Sequence, residues 1–392
     1  TLQAIEKTLL AALSDVREAV TDWQVMRDAM VRIADGLEAG PMPVDAAGRA
    51  EAQAFLRWAA DNHFTFLGYR EYEVTDRKLA AVQGSGLGLL RGKDHLVQPR
   101  PVAGLAAGDL PAGASMDVLI LTKTNARATV HRPGYMDYIG VLVFDESGRA
   151  VREHRFLGLY TSSAYNRRPW EIPLVRQRHE YVMRQSGLAP ASHSGKALRH
   201  ILETLPREEL FQSSEDELFR TAMGVLGLQE RVRSRLFLRR DKYSRFISAL
   251  VNLPRERFNT DVRLRIESLL KDAMRGEYVD SSVLLGESPL AQLHITIRPK
   301  AGEQVEVDTS ALTVDFNLPE RYQSRLATGQ SVQVQLDALP GETFEAQVLA
   351  DGARRGPADQ AEQLLFQQAF VDLAGAVQVD VDRLRLGHAD GV

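Results

Sequence analysis

Cysteine is absent from the 392-residue sequence. Its absence excludes disulfide bonds, thiolate metal sites and a cysteine nucleophile, and it fits the reducing cytoplasm, where we expect the protein. No stretch approaches the roughly 18 apolar residues of a membrane-spanning helix, so we expect no membrane span. The formal net charge of −4 leaves no basic surplus for nucleic acid. No spacing typical of zinc or calcium ligands occurs, and the sequence therefore predicts no metal site.

A nucleotide-binding glycine loop is also missing. A dinucleotide fold needs G-x-G-x-x-G between a strand and a helix, because the backbone must approach the pyrophosphate. The nearest string, GSGLGL at Gly84 to Leu89, has the wrong spacing and no clear helix pattern after it. We therefore predict no cofactor and no catalytic residue in this chain. The chain begins at Thr1 rather than at methionine, which suggests a piece of a longer protein.

The composition is that of a globular protein, with 44% hydrophobic and 26% charged residues. The length allows two or three domains. Apolar residues at helical spacing from Leu2 to Val20 predict a first helix, and a break at Asp22 separates it from a second one at 23–37. The Pro- and Gly-containing run at 40–48 predicts a linker.

Two α+β units follow, with helices between them. The first has a helix at 49–60 and strands at 63–74, 118–124, 128–132, 137–145 and 151–160, and the helix at 170–185 closes it. Residues 195–230 look helical throughout. The second unit begins near Arg235 and places a helix at 259–274 among three or four strands. Past Pro299 the pattern is mostly β, with one helix at about 358–373.

The fold class we predict is α+β. The small second unit suggests a ferredoxin-like sandwich. The predicted segments are N-terminal helices and linker at 1–48, an α+β domain at 49–190, a helical segment at 191–232, a second α+β domain at 233–299, and a β-rich part of uncertain origin at 300–392.

Several long strings carry a resemblance to one family. They are EAQAFLRWAADNHFTFLGYREYEV, TVHRPGYMDYIG, RFLGLYTSSAYNRRPWEIPL, GKALRHILETLPREELF, SRLFLRRDKYSRFISALVNLPRERFNT and SVLLGESPLAQLHITIR. In this order they resemble the N-terminal regulatory half of the large bacterial NAD-specific glutamate dehydrogenases, over about residues 1 to 298. The resemblance implies tandem ACT-like domains, which often bind free amino acids. It also implies that NAD and the catalytic residues belong to a later part of the full-length enzyme.

A second resemblance concerns residues 310 to 350. The string VDFNLPERYQSRLATGQSVQVQLDALPGETFEAQV is similar to the β-barrel domain of periplasmic adaptor proteins of efflux pumps, through its D-F-x-L-P-E turn and its P-G-x-x-F-E hairpin. The two families work in different compartments. The chain is then either a mosaic or a dehydrogenase segment that resembles the barrel by convergence.

The densest polar cluster lies around a Pro-Gly corner. Arg132 precedes it, and Asp137 and Tyr138 follow it. A guanidinium and a carboxylate at this spacing are suited to the two charges of a free amino acid, so these three residues are the candidate effector site. The alternative, which the sequence favours, is a corner between strands at which the tyrosines pack.

Other polar residues favour structural roles. His63 is expected at a helix end, and His294 is expected packed in a strand. Ser192-His193-Ser194 has no acid in register for a triad. The loop Asn166 to Pro169 and the basic run of Arg231, Arg233, Arg235, Arg239 and Arg240 are interpreted as solvated or subunit-facing surfaces.

From the resemblance we expect a non-catalytic regulatory and assembly segment, inactive by itself as an enzyme. We expect a homo-oligomer, with a free amino acid as a possible effector. The alternatives are a purely structural oligomerisation module without a ligand, and a mosaic that carries an adaptor-type barrel. An effector titration separates the first two.

Overall fold

The computed structural model describes residues 2–38, 44–75, 78–92, 118–230, 234–241, 245–286 and 288–299, together with short strands at 100–101, 314–316, 331–335, 343–347 and 369–371. The chain divides into two compact units, Thr1–Val305 and Glu306–Val392. Each unit is described by itself.

The first helix, α1, runs from Leu2 to Gly36 without interruption, so the break predicted at Asp22 is wrong. Asp22 remains helical because its carboxylate has partners away from its own backbone. Its Oδ2 accepts from Gly88 N–H at 2.7 Å, and it pairs with the Arg91 guanidinium. The second helix, α2, spans Ala46–Trp58, and a π-helical turn at Ala59–His63 leads into the first sheet.

The first sheet has seven strands and is antiparallel throughout. The strands are β1 Phe64–Thr75, β2 Lys78–Ala81, β3 Leu87–Gly88, β4 Arg100–Pro101, β5 Leu119–Arg127, β6 Tyr135–Phe144 and β7 Ala150–Tyr160. Their order is β4-β2-β1-β7-β6-β5, and β3 pairs with β1. The strand predicted at 128–132 is wrong. Those residues form the turn before β6, where His131 has a left-handed φ of 73°.

The helical segment that follows β7 contains α3 Ser162–Asn166, a 3-10 turn at Pro169–Glu171, α4 Val175–Gln185, α5 His193–Thr204, α6 Arg207–Gln212 and α7 Glu215–Glu230. Helix α4 begins later than predicted because Leu174 has a φ of 67°, which interrupts the helical backbone. Ser214 and Glu217 form a capping box at the start of α7. Glu217 N–H donates to Ser214 Oγ at 3.3 Å, and Ser214 N–H donates to the Glu217 carboxylate at 2.8 Å.

The second sheet is four-stranded and antiparallel, in the order β10-β11-β9-β8. Its elements are β8 Arg235–Arg240, β9 Ile247–Pro254, α8 Thr260–Ala273, β10 Gly276–Leu284 and β11 Leu290–Pro299. Side chains alternate between the two faces. The face that carries Ile295 and Ser281 lies under α8, since Arg263 of α8 donates to Ser281 at 3.3 Å. The strand register puts Arg239, Ser248, His294 and Arg298 together on the opposite face.

The two sheets with the helical segment between them confirm the predicted α+β class. In the second compact unit the described elements are short antiparallel strands, β12 Val314–Phe316 paired with β15 Ala369–Val371, and β13 Ser331–Gln335 paired with β14 Thr343–Gln347. The helix predicted at about 358–373 is wrong at 369–371, because those residues form β15. The rest of that prediction lies outside the described residues.

Candidate functional site

Asp137, in β6, is buried and fully engaged within the chain. Lys123 Nζ on β5 donates to its Oδ1 at 2.7 Å, and Tyr160 N–H donates to its Oδ2 at 3.0 Å. Burial acts to lower the pKa of Lys123, but the carboxylates of Asp137 and Glu208 raise it above its ordinary value. The lysine is therefore held as a cation between two acids.

Tyr138 follows Asp137 along β6, so its side chain leaves the opposite face of the sheet. Its hydroxyl donates to the Glu153 carboxylate and accepts from Arg155 Nε at 2.9 Å. The Arg155 guanidinium also lies 3.8 Å from the centre of the Tyr72 ring. Burial raises the pKa of Tyr138, which keeps the phenol neutral and able to donate.

Arg132 lies in the turn between β5 and β6. Its Nη2 donates to the Tyr160 carbonyl at 3.1 Å, and the guanidinium stands 6.0 Å from the Tyr165 ring. Tyr160 thus contacts Arg132 through its carbonyl and Asp137 through its N–H. The structure brings Arg132 and Asp137 to one residue of β7 and places Tyr138 on the other face. Whether the three hold a ligand remains a prediction.

The glycine string at 84–89 does not fit a dinucleotide. A Cβ at Gly88 would lie 2.3 Å from the Leu67 carbonyl, so this glycine permits close packing of β3 on β1. The Gly88 N–H donates to the Asp22 carboxylate. A pyrophosphate would therefore meet a negative charge where a phosphate-binding loop offers free N–H groups.

Two adjacent carboxylates in α6 connect the sheets. Glu208 Oε1 lies 3.5 Å from Lys123 Nζ on the first sheet and accepts from Tyr165 OH at 3.2 Å. Burial tends to raise the pKa of Glu208, but the Lys123 charge more than offsets it and the pKa is lowered. Glu209, the next residue, faces the second sheet.

The Glu209 carboxylate takes a two-pronged contact from the Arg239 guanidinium of β8. Arg239 Nε donates at 2.9 Å to Oε2, and Nη2 donates at 2.8 Å to Oε1. Ser248 Oγ also donates to Oε1 at 2.6 Å, and His294 Nε2 lies 3.3 Å from the same oxygen. Against the cost of burial, the charge of Arg239 holds the pKa of Glu209 well below its usual range. All four side chains are buried, so the Ser-His-Glu grouping is a packed joint without access for a substrate.

Arg298 of β11 is as buried as Arg239 but has no such partner. Its side chain is 4% exposed, and its Nε and Nη2 have no hydrogen-bond partner. The guanidinium lies 3.5 Å from the centre of the Tyr135 ring and 5.3 Å from that of Phe246. Nη1 reaches Asp280 Oδ2 at 3.5 Å. Burial lowers the pKa of Arg298.

The sequence interpretation missed both arginines. The interpretation of the basic run as a solvated or subunit-facing surface is wrong for Arg239, because this residue is 7% exposed and paired with Glu209. Its neighbour Arg240 is exposed, as expected. The alternation of the strand RLFLRR carries a signal for the difference, since adjacent arginines must point to opposite faces. Arg298 carries no comparable signal in the sequence.

The other residues considered from the sequence make packing or helix-capping contacts. His63 Nδ1 lies 2.8 Å from the Trp58 carbonyl, and its ring stacks 4.4 Å from the Trp58 ring, as expected at a helix end. Ser192 caps α5 by accepting from Gly195 N–H at 3.0 Å. Within the described residues no cluster of acidic or histidine side chains could hold a metal ion. No helix in the described part of the chain is long and apolar enough to cross a membrane.

Comparison with protein families gives two matches. The model of glutamate dehydrogenase helical motif 1 matches residues 172–231, which contain α4 to α7. The model of the glutamate dehydrogenase ACT2 domain matches residues 235–317, which begin with the second sheet.

Three similar proteins carry the name NAD-specific glutamate dehydrogenase. The one from Halomonas elongata is 38% identical over 316 residues, which cover 79% of this chain and 20% of that protein. The one from Pseudomonas aeruginosa is 34% identical over 397 residues, covering 97% and 24%. The one from Mycobacterium tuberculosis is 28% identical over 371 residues, covering 94% and 21%. The chain thus spans about a fifth to a quarter of the length of these relatives.

The comparisons give no support to the resemblance of residues 310 to 350 to adaptor proteins. The Pseudomonas alignment covers 97% of the chain, which leaves too few residues outside it to omit this stretch. The ACT2 match also runs on to residue 317. The stretch therefore aligns with the same relatives as the rest of the chain, and the mosaic interpretation is dropped.

Proposed function

The chain belongs to the NAD-specific glutamate dehydrogenase family as an N-terminal region of such a protein, and on that premise we propose that it is the non-catalytic regulatory and assembly segment of a large enzyme. The full enzyme would convert glutamate and NAD to 2-oxoglutarate, ammonium and NADH. This region would supply ligand response and subunit contacts, and NAD would bind elsewhere.

The observation that supports a regulatory role best is the pair of carboxylates in α6. Glu208 is bound to the first sheet through Lys123, and Glu209 is bound to the second through Arg239. Consecutive residues of a short helix cannot move independently, so a displacement of one sheet acts directly on the contacts of the other. Energetic coupling between sites requires such a continuous and discrete connection.

A free amino acid is the proposed effector, with Arg132, Asp137 and Tyr138 as the proposed contacts. Asp137 and Arg132 already have partners within the chain, with which a ligand would compete. Lys123 already donates to Asp137 Oδ1, so a ligand ammonium would compete with Lys123 there. Arg132 is exposed and gives only Nη2 to the Tyr160 carbonyl, so a ligand carboxylate would use its other donors or compete with that carbonyl. Arg132→Ala should then weaken binding about tenfold or more.

Assembly is supported by the exposed apolar side of α1. Seven large apolar side chains in its first twenty residues are between 43% and 87% exposed: Leu2, Ile5, Leu9, Leu10, Leu13, Val16 and Val20. Apolar surface of this extent is typical of a face that packs against another partner. We take the assembled state to be a homo-oligomer and its compartment to be the cytoplasm.

The proposed function is tested on the purified chain. With glutamate and NAD it should form no NADH above an inactivated control. Calorimetric titration with aspartate, arginine and glutamate should give saturable heat with at least one, and light scattering should give a mass above that of one chain. NADH formation that survives repurification would contradict the non-catalytic assignment. An oligomer that takes up none of the amino acids would instead support the purely structural module.

A further inference from the structure

We propose that Arg298 is the anchor of a second ligand site, which binds the carboxylate group of a small organic acid between the two sheets. Nε and Nη2 are its unpartnered atoms. These two donors lie on one edge of the guanidinium, and that edge forms the parallel pair of hydrogen bonds to a carboxylate. Buried donors without partners are rare in folded proteins and call for an explanation.

The same sheet shows how such a carboxylate fits. Arg239 uses its own Nε and Nη2 to hold Glu209, at 2.9 and 2.8 Å. The pKa of Arg239 is raised by this carboxylate in spite of burial, whereas burial lowers the pKa of Arg298. Arg298 therefore has the buried setting of Arg239, but its acid, Asp280, reaches only Nη1, and no acid lies on the edge formed by Nε and Nη2.

A carboxylate would bind side-on to the guanidinium, and the packing around the buried Nε and Nη2 must open to admit it. Tyr135 covers one face of the guanidinium at 3.5 Å from its ring centre. Stacking fixes the plane of the guanidinium and leaves its edge as the binding direction. Tyr135 belongs to the first sheet and Arg298 to the second, so a ligand on this edge would bear on the contact between them.

Two ion pairs in series lead from Arg298 to exposed side chains at the surface. Arg127 is paired with Asp280 Oδ1 at 2.8 Å, and Asp280 Oδ2 lies 3.5 Å from Arg298 Nη1. The side chains of Arg127 and Asp280 are 57% and 40% exposed. An acid that enters past this pair meets the guanidinium with its carboxylate. If the acid also carries an ammonium group, Asp280 is the available counter-charge.

This site differs from the proposed one at Arg132, although it rests on the same proposed function when the ligand is an amino acid. The choice of ligands distinguishes a carboxylate from an amino acid and a carboxylate from an organic acid without an ammonium group. Glutamate and aspartate carry an ammonium group, whereas 2-oxoglutarate does not, and chloride reports on any anion.

The experiment is calorimetric titration of the whole chain and four variants with these ligands. Arg298→Lys keeps the charge and removes the two-pronged edge, and it should weaken binding of the preferred acid at least tenfold. The matched control Arg240→Lys alters an exposed arginine of the same sheet and should bind as the unaltered chain does. Arg132→Ala alters the other proposed site and reports which of the two sites holds the ligand. Asp280→Asn should weaken amino acids selectively and leave 2-oxoglutarate as tight or tighter.

Several results would overturn the inference. Equal binding by Arg298→Lys and the unaltered chain would do so while the proposed effector function stood. Loss of binding in Arg132→Ala alone would assign the ligand to the other site. Chloride that competes as well as the organic acids would reduce the site to a general anion cavity. No heat with any acid on the unaltered chain would remove this site and the effector role together.

Discussion

Arg239 and Arg298 occupy the same face of the second sheet, at similar depth, and their guanidinium groups have opposite surroundings. Arg239 holds Glu209 through Nε and Nη2, and Ser248 and His294 complete the contacts of that carboxylate. Arg298 keeps the same two donors without a partner and stacks on Tyr135. The first arrangement fixes α6 to the sheet. The second leaves two donors of a buried guanidinium without a partner in the chain, and we propose that a ligand carboxylate binds them.

Burial alone therefore does not define the role of a charged residue. A buried ion pair holds structure together because removal of one partner strands the other. A buried guanidinium whose Nε and Nη2 have no partner instead destabilises the fold until a ligand binds to that edge. The comparison therefore predicts opposite responses when each arginine is replaced by an apolar side chain of similar length.

The largest effect is expected at the occupied arginine. Arg239→Met leaves the Glu209 carboxylate buried and unpaired, and it should lower the free energy of unfolding by about 3–5 kcal/mol. Urea denaturation measures this change. The double substitution of Arg239→Met with Glu209→Met removes both charges and should recover most of the loss. A single variant within about 0.5 kcal/mol of the unaltered chain would contradict the proposed joint.

A smaller effect is expected at His179 of α4, whose Nε2 also has no hydrogen-bond partner. Burial, with help from the charge of Arg199, lowers the pKa of His179 to about 4 from 6.5. The unfolded chain then binds the proton more readily. The stability that neutral His179 contributes is present above pH ~6.5 and is lost as the pH falls towards ~4, by about 1.4 kcal/mol for each pH unit in that window.

Thermal unfolding between pH 7 and pH 4.5 tests this loss. His179→Gln should flatten that part of the profile, and the exposed-residue control His200→Gln should not. If both variants follow the unaltered chain, the low pKa of His179 does not govern stability in that range.

The smallest effect is expected at Arg298. Arg298→Met removes a desolvated charge whose edge has no internal partner, and the free energy of unfolding should change by less than about 1 kcal/mol, in either direction. Urea denaturation beside Arg239→Met gives the comparison directly. A loss of 3 kcal/mol or more would show that Arg298 is a structural ion-pair residue like Arg239.

Much of the fold was predictable because local patterns agree with it. The strand at 63–74, the hairpin around Ser147 and the helices at 195–230 follow from alternation, turn residues and apolar spacing. The break at Asp22 failed because a long-range pairing with Arg91 keeps a helix-breaking residue in place. Likewise the strand at 128–132 failed because the chain already bends from Thr129 onward and His131 has a left-handed φ.

The candidate site was predictable only in part. Arg132 and Asp137 do meet at Tyr160, as their spacing across the corner suggested, but strand alternation puts Tyr138 on the other face. The joint at Glu209 and the free edge of Arg298 depend on contacts between elements far apart in the chain. A single sequence contains no spacing rule for them.

If Arg298 binds a carboxylate ligand, glutamate should stabilise the folded chain through this residue. The free energy of unfolding is measured by urea denaturation for the unaltered chain and Arg298→Met, with and without saturating glutamate, and with aspartate and 2-oxoglutarate in parallel. A ligand at ~100 times its dissociation constant should stabilise the unaltered chain by about 2.7 kcal/mol. We predict this gain for at least one acid in the unaltered chain, and a smaller gain in Arg298→Met that is limited to any binding at Arg132. Equal gains in both proteins, or none in either, would contradict this prediction.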